Sequence, residues 1–199
     1  KNINRMIILV QGPYIYQTEN LINKLNQIFP ENRIVLSCYD EVINPIIENI
    51  AEVKRNIDPK SVLVPPRGAP LNLKRQATTI SKGLEKSNAE WVMKIRSDIE
   101  IIDGNRLRAA VFKLFINLHS KKPIKLLTLN TGSLDIFSYY QMPFHFNDWF
   151  FICKRSTLER NCKYIMDIDE QNLIDDFKAI SVRNYYYKHK YTLIFHTEQ

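Results

Sequence analysis

WVMKIRSDIEI, residues 91–101, is the stretch on which the fold turns. It opens like a core strand, yet Lys94, Arg96 and Asp98 stand at alternate positions in its second half. Alternate side chains of an extended segment share a face, so a straight strand would line up Val92, Lys94, Arg96 and Asp98 on one side. An unpaired buried charge costs on the order of several kcal/mol. Such a row therefore fits an edge strand with a solvated face, charges with partners, or a strand that leaves the core to meet a ligand.

Reading outward, NLKRQATTISKGLEK (residues 72–86) is the clearest helix, with Leu73, Ala77, Ile80 and Leu84 at helical spacing and Gly83 as a mild blemish. Beside that apolar stripe, Asn72, Arg75, Gln76 and Thr79 share a polar face. MIILVQG (residues 6–12), stopped by Gly12-Pro13, reads as a buried strand entering a loop. Thr18 then caps a helix whose apolar face is Leu21, Ile22, Leu25, Ile28 and Phe29, ending at Pro30. RIVLS (residues 33–37) gives a second strand and SVLV (residues 61–64) a third, with a partly helical stretch between them that Pro45 breaks. Downstream, residues 104–118 form an amphipathic helix with Leu107, Val111, Leu114 and Leu118 inward. IKLLTLN (residues 124–130) and WFFIC (residues 149–153) are strands, and a helix follows from Ser156.

This alternation predicts an α/β fold, a mostly parallel sheet with helices on both faces, in a single domain over residues 1–199. In such sheets ligands sit beyond the carboxyl ends of the strands. That rule puts Gln11-Gly12-Pro13 and Arg96-Ser97-Asp98 on one rim, where the polar face of the 72–86 helix joins them. The two rows of cationic and hydrogen-bonding groups are what an anionic ligand requires.

Composition narrows the partners. With 28 Lys and Arg against 21 Asp and Glu, the net charge is +7, which favours nucleic acid, anionic lipid or a phosphorylated small molecule. Cys38, Cys153 and Cys162 have no CxxC spacing and read as free thiols of a reducing compartment. No stretch approaches the length of a membrane span, and MIILV is too short for a secretory core. With five glycines in all, the chain has no P-loop, no GxGxxG and no GxSxG, and its histidines have no HExxH spacing.

Four elements in order, QGP (residues 11–13), NxxRQ (residues 72–76), KxRSD (residues 94–98) and FHFNDW (residues 144–149), resemble the WavE lipopolysaccharide-synthesis family of bacterial glycosyltransferases. The resemblance implies a GT-A-like, Rossmann-type domain. Its nucleotide-binding part would cover about residues 1–103 and its acceptor-side part about residues 104–199. It implies a nucleotide-sugar donor held by Gln11, Gly12, Asn72, Arg75, Gln76, Thr79, Lys94, Arg96 and Asp98. The GT-A superfamily usually ends a strand in Asp-x-Asp around a divalent metal, manganese or magnesium. Here Arg96 replaces the first carboxylate, so either Asp98 with His145 holds such a cation, or the guanidinium itself neutralises phosphate charge and Asp98 binds ribose or sugar hydroxyls. Asp148 is the candidate base that deprotonates a saccharide or lipid-linked acceptor in inverting transfer, and its alternative is a turn-capping aspartate. His145 alone also fits a loop histidine, and Trp149 reads as core rather than as a sugar platform.

Lys94, deeper in, is expected to pair with a carboxylate such as Asp148 or to support the rim rather than to touch phosphate. The tail NYYYKHKY (residues 184–191) mixes aromatics and bases, which fits either alternating aromatics packing on a terminal strand or peripheral contact with an anionic inner membrane from the cytoplasmic side. Single-stranded nucleic acid would use the same mixture, so a basic nucleic-acid-binding module is the less favoured alternative, alongside an inactive transferase-like domain.

Overall fold

The computed structural model describes residues 5–39, 41–64, 69–117, 126–128 and 149–169. The chain runs β1 (Met6–Gln11), α1 (Tyr16–Ile28), β2 (Ile34–Cys38), α2 (Pro45–Ile50), β3 (Glu52–Arg55), β4 (Val62–Val64), β5 (Ala69–Leu71), α3 (Leu73–Leu84), β6 (Trp91–Arg96), α4 (Gly104–Asn117), β7 (Leu126–Thr128), β8 (Phe150–Lys154) and α5 (Arg155–Asp167). Among the described residues, six strands form one sheet in the order β3-β2-β1-β6-β8-β7. β3, β2, β1 and β6 are parallel, and β8 runs antiparallel to both β6 and β7.

The strand sequences follow from burial on two sides. Every residue of MIILVQ in β1 is buried because the strand is central and covered on both faces, so it reads as a continuous apolar run rather than an alternation. Alternate residues then divide between two cores. Ile8, Val10, Met93 and Ile95 pack with Leu21, Ile22 and Leu25 of α1, Ile47 of α2, and Val111 and Leu114 of α4. Ile7, Leu9, Val35 and Val92 pack with Ala77, Ile80 and Leu84 of α3, and Leu158, Cys162 and Ile165 of α5.

The expected mostly parallel sheet with helices on both faces is thus present, with local corrections. SVLV does not join the main sheet; β4 pairs antiparallel with β5 in a separate ribbon. The third parallel strand is EVKR of β3, a half-exposed edge whose charged side chains hide it from an apolar pattern. Pro45 begins α2 instead of breaking a helix, since a first-turn residue needs no amide donor, and the Asn44 side chain caps it by accepting from the Ile46 amide. Thr18 lies inside the first turn of α1, where its hydroxyl accepts from the Ile15 amide. Gly83 marks a close approach: a Cβ there would lie 2.3 Å from Leu9 Cδ1 and 3.2 Å from Ser37 Cβ. Leu118, the tail, and much of the proposed acceptor-side part lie outside the described residues.

Strand order fixes where a site belongs. From β1 the chain winds outward to β2 and β3, then returns past β1 to lay β6 on its other side. The winding reverses between β1 and β6, and in sheets of this kind ligands bind beyond the carboxyl ends of the strands at such a reversal.

Candidate functional site

The carboxyl ends of β1 and β6 bring several of the sequence-predicted groups together. Gln11 is in register with Arg96, and the Ser97 amide donates to the Gln11 carbonyl at 2.9 Å, so the Gln-Gly turn and the Arg-Ser-Asp segment are neighbours. Gly12 holds φ at +135°, a conformation that favours glycine, and a Cβ there would come within 2.4 Å of the Ser97 hydroxyl. The Thr18 hydroxyl reaches back to the Ser97 carbonyl at 3.3 Å, tying the start of α1 to the end of β6. Ser97 is 1% exposed, and its hydroxyl has no hydrogen-bond partner among the described residues.

The charged row divides into two kinds. Lys94 is only 1% exposed, in a strand with neighbours on both sides, which rules out the solvated-edge reading. Its amine lies 5.5 Å from the centre of the Phe151 ring, the residue opposite it on β8. Arg96 and Asp98, by contrast, are about two-fifths exposed and bind each other in a fork, Nε to Oδ1 at 2.9 Å and Nη2 to Oδ2 at 2.5 Å. The hydrogen bonds from Arg96 outweigh partial burial and hold the Asp98 carboxyl below its ordinary value. The guanidinium also lies 5.8 Å from the centre of the Trp149 ring. Trp149 is 46% exposed, so it lies at the surface instead of in the core.

The polar face of α3 converges on the same rim, but its side chains have partners. The Gln11 amide donates to the Thr79 hydroxyl at 2.8 Å, and that hydroxyl donates in turn to the carbonyls of Arg75 and Gln76. Thr79 is fully buried, so it positions Gln11 rather than contacting a ligand. Arg75 forks onto Asp58 at 2.9 Å through both Nε and Nη2, and stacks 4.9 Å from the Tyr39 ring centre. Burial is the largest influence on Asp58 and acts to raise its pKa, but the Lys60 amide and Arg75 together hold the carboxyl below its ordinary value. Asn72 accepts from the Ser61 hydroxyl at 2.6 Å, and Gln76 is partly buried on the same face. Sequence patterning places Ser97 on this rim but does not bring Asp58, Tyr39 or Ser61 to it; of these it shows only that Tyr39 follows a strand.

Asp148 and His145, the candidate base and second metal ligand, lie outside the described residues, as does Lys94's expected partner. Among the described residues no three His, Cys, Asp or Glu side chains come together to hold a metal. Both Asp98 oxygens already accept from Arg96, so this donor set does not fit a divalent cation while that pair is closed.

A family profile described as WavE lipopolysaccharide synthesis matches residues 7–199. The chain belongs to the WavE family. Family membership ties this WavE chain to lipopolysaccharide synthesis. Among solved structures, the bifunctional IspDF from Campylobacter jejuni is similar at 13% identity with a TM-score of 0.45. That alignment covers 86% of the WavE chain and 47% of IspDF, so the chain spans about half of that protein's length. No curated protein matches it.

Proposed function

We propose that this WavE chain is a glycosyltransferase that moves a sugar from a nucleotide donor to a saccharide or lipid-linked acceptor. The observation that carries the reading is the meeting of Gln11-Gly12 with Arg96-Ser97-Asp98 at the point where the strand winding reverses. In the reaction the bond from the anomeric carbon to the diphosphate oxygen breaks, and the acceptor oxygen bonds to that carbon from the opposite side. The acceptor proton passes to Asp148, and negative charge develops on the departing diphosphate.

Arg96 is the residue assigned to that charge. Its planar fork, held by Asp98 in the closed pair, matches two phosphate oxygens equally well. On donor binding the guanidinium would turn from carboxylate to phosphate, freeing Asp98 for sugar or ribose hydroxyls. Gly12 permits close backbone approach, and Gln11 is held in place for base or ribose contact by Thr79. Arg75 is held back from the donor by Asp58 and shapes the adjoining wall with Tyr39. No step is assigned to a metal.

A thermal-shift panel of UDP, GDP, CMP and dTDP sugars, with and without manganese, tests the reading. One nucleotide should raise the melting temperature, and Arg96→Ala and Asp98→Asn should each abolish turnover with little loss of stability. A wild-type protein indifferent to every nucleotide, or transfer surviving in both variants, overturns it. Stabilisation only with manganese would restore the cation at Asp98 and His145.

A further inference from the structure

The face of α4 turned away from the sheet has no role in the proposed transfer and carries an unusual pattern. Its inner stripe is fixed: Val111, Leu114 and Phe115 are buried, and Phe115 meets Trp91 edge-on with ring centres 5.7 Å apart. The outer face carries Ala109, Phe112 and Ile116 at i, i+3 and i+7, so they form one strip. Arg108 flanks that strip on one side, and Arg106 and Lys113 flank it on the other. Ile116 is 70% exposed, and Ile102, in the loop leading into the helix, is 90% exposed. Arg108 sits 5.6 Å from the Phe112 ring centre, its charge still in solvent. No acidic residue occurs anywhere in α4.

An apolar strip bordered by cations, with the acids Glu100 and Asp103 confined to the loop before the helix, is complementary to one kind of surface, a layer of anionic headgroups over hydrocarbon. The geometry points to α4, with Ile102, as the element that docks this protein onto an anionic lipid bilayer. The side chains of Phe112, Ile116 and Ile102 enter the headgroup boundary while Arg106, Arg108 and Lys113 pair with lipid phosphates. The aliphatic members decide between lipid and nucleic acid, since a base stacks on an aromatic ring and gains little from isoleucine. No described helix is long and apolar enough to cross a membrane, so the contact is with the surface.

Co-sedimentation of the chain with vesicles of phosphatidylcholine, alone or mixed with phosphatidylglycerol, tests the proposal. The protein should pellet with the mixed vesicles and not with the neutral ones. Each cation near an anionic surface multiplies partitioning roughly fivefold, so Arg106→Gln, Arg108→Gln and Lys113→Gln together should weaken it on the order of a hundredfold. Phe112→Ser with Ile116→Ser should weaken it severalfold, with far-ultraviolet circular dichroism unchanged in both variants. Absence of wild-type binding, or binding unchanged in both variants, overturns the proposal. Vesicle binding intact while a single-stranded oligonucleotide is lost by the triple variant overturns it in favour of nucleic acid. Nucleotide-induced thermal shifts should be untouched by either variant, so failure here is distinct from failure of the transferase reading.

Discussion

Ser97→Ala should stabilise the unliganded protein, against the general tendency of substitutions to destabilise. The Ser97 hydroxyl is buried beside the Gly12 turn, with neither a donor nor an acceptor within reach among the described residues. Leaving a buried hydroxyl unsatisfied costs about 1–3 kcal/mol relative to its hydration in the unfolded chain. Alanine removes that cost and loses only an oxygen's worth of packing, so a net gain of about 1 kcal/mol is expected. For a chain of this size that raises the melting temperature by about 2–4 °C. Gly12→Ala provides the internal control. Its φ of +135° costs about 1–3 kcal/mol for alanine in any background. The approach of the new Cβ to Ser97 Oγ at 2.4 Å adds a clash that vanishes in the Ser97→Ala background, where the nearest remaining atom would be the residue 97 Cβ at 3.4 Å. The two substitutions should therefore couple favourably by about 1 kcal/mol in a double-mutant cycle. Urea unfolding of the four proteins measures both quantities. A loss of stability in Ser97→Ala would show that the hydroxyl has a partner, and strict additivity would show that the turn does not press on it.

Three further outcomes follow from the packing and the ion pairs. Asp58 has a folded pKa below its unfolded value, so its contribution is present above about pH 4 and is lost as pH falls through the lower folded value. Acid unfolding of Asp58→Asn should accordingly show a shallower fall in stability below pH 4 than wild type, and superimposable profiles would refute this. Gly83→Ala should raise helix propensity by about 1 kcal/mol, yet the contacts with Leu9 and Ser37 should turn this into a net loss of about 1 kcal/mol, read by urea unfolding. Burial pushes the thiols of Cys38, Cys153 and Cys162 up to about 12. A disulfide reagent at pH 8 should therefore label none of them rapidly in the native protein and all three after unfolding, with fast native labelling the contrary result.

The sequence discloses those parts of the fold that two-sided burial writes into the chain. β1, β2 and β6 are legible because their residues meet helices on both faces, and α3 because its stripe repeats at helical spacing. β3 is illegible for the opposite reason: Glu52, Lys54 and Arg55 lie at the sheet edge, and their ion pairs with Arg33, with each other or with Glu48 replace an apolar pattern. Pro45 and Thr18 show that the same residue type serves at neighbouring helix positions, so the sequence signals a helix start without fixing the residue. At the site, the placement of Gln11 beside Arg96 follows from strand order once β1 and β6 are recognised. The pairing of Arg75 with Asp58 does not, because the partners are separated by the β4-β5 ribbon, whose existence the apolar run SVLV conceals.

The gradation of the charged row explains why one strand can serve both the core and a site. Lys94 is enclosed between β1 and β8, so its charge is part of the packing, and its loss would leave the surrounding structure to reorganise. Arg96 and Asp98 lie past the last residue pair that β6 shares with β8, where each is about two-fifths exposed. An exposed pair of that kind contributes about 0–1 kcal/mol, little enough for an incoming phosphate to replace the carboxylate without unfolding anything. A buried pair would bind the guanidinium too firmly to exchange, and an unpaired arginine would lack a fixed orientation before the ligand arrived. The step from Lys94 to Arg96, two residues on one face of one strand, spans the boundary between charge that the fold needs and charge that it can exchange.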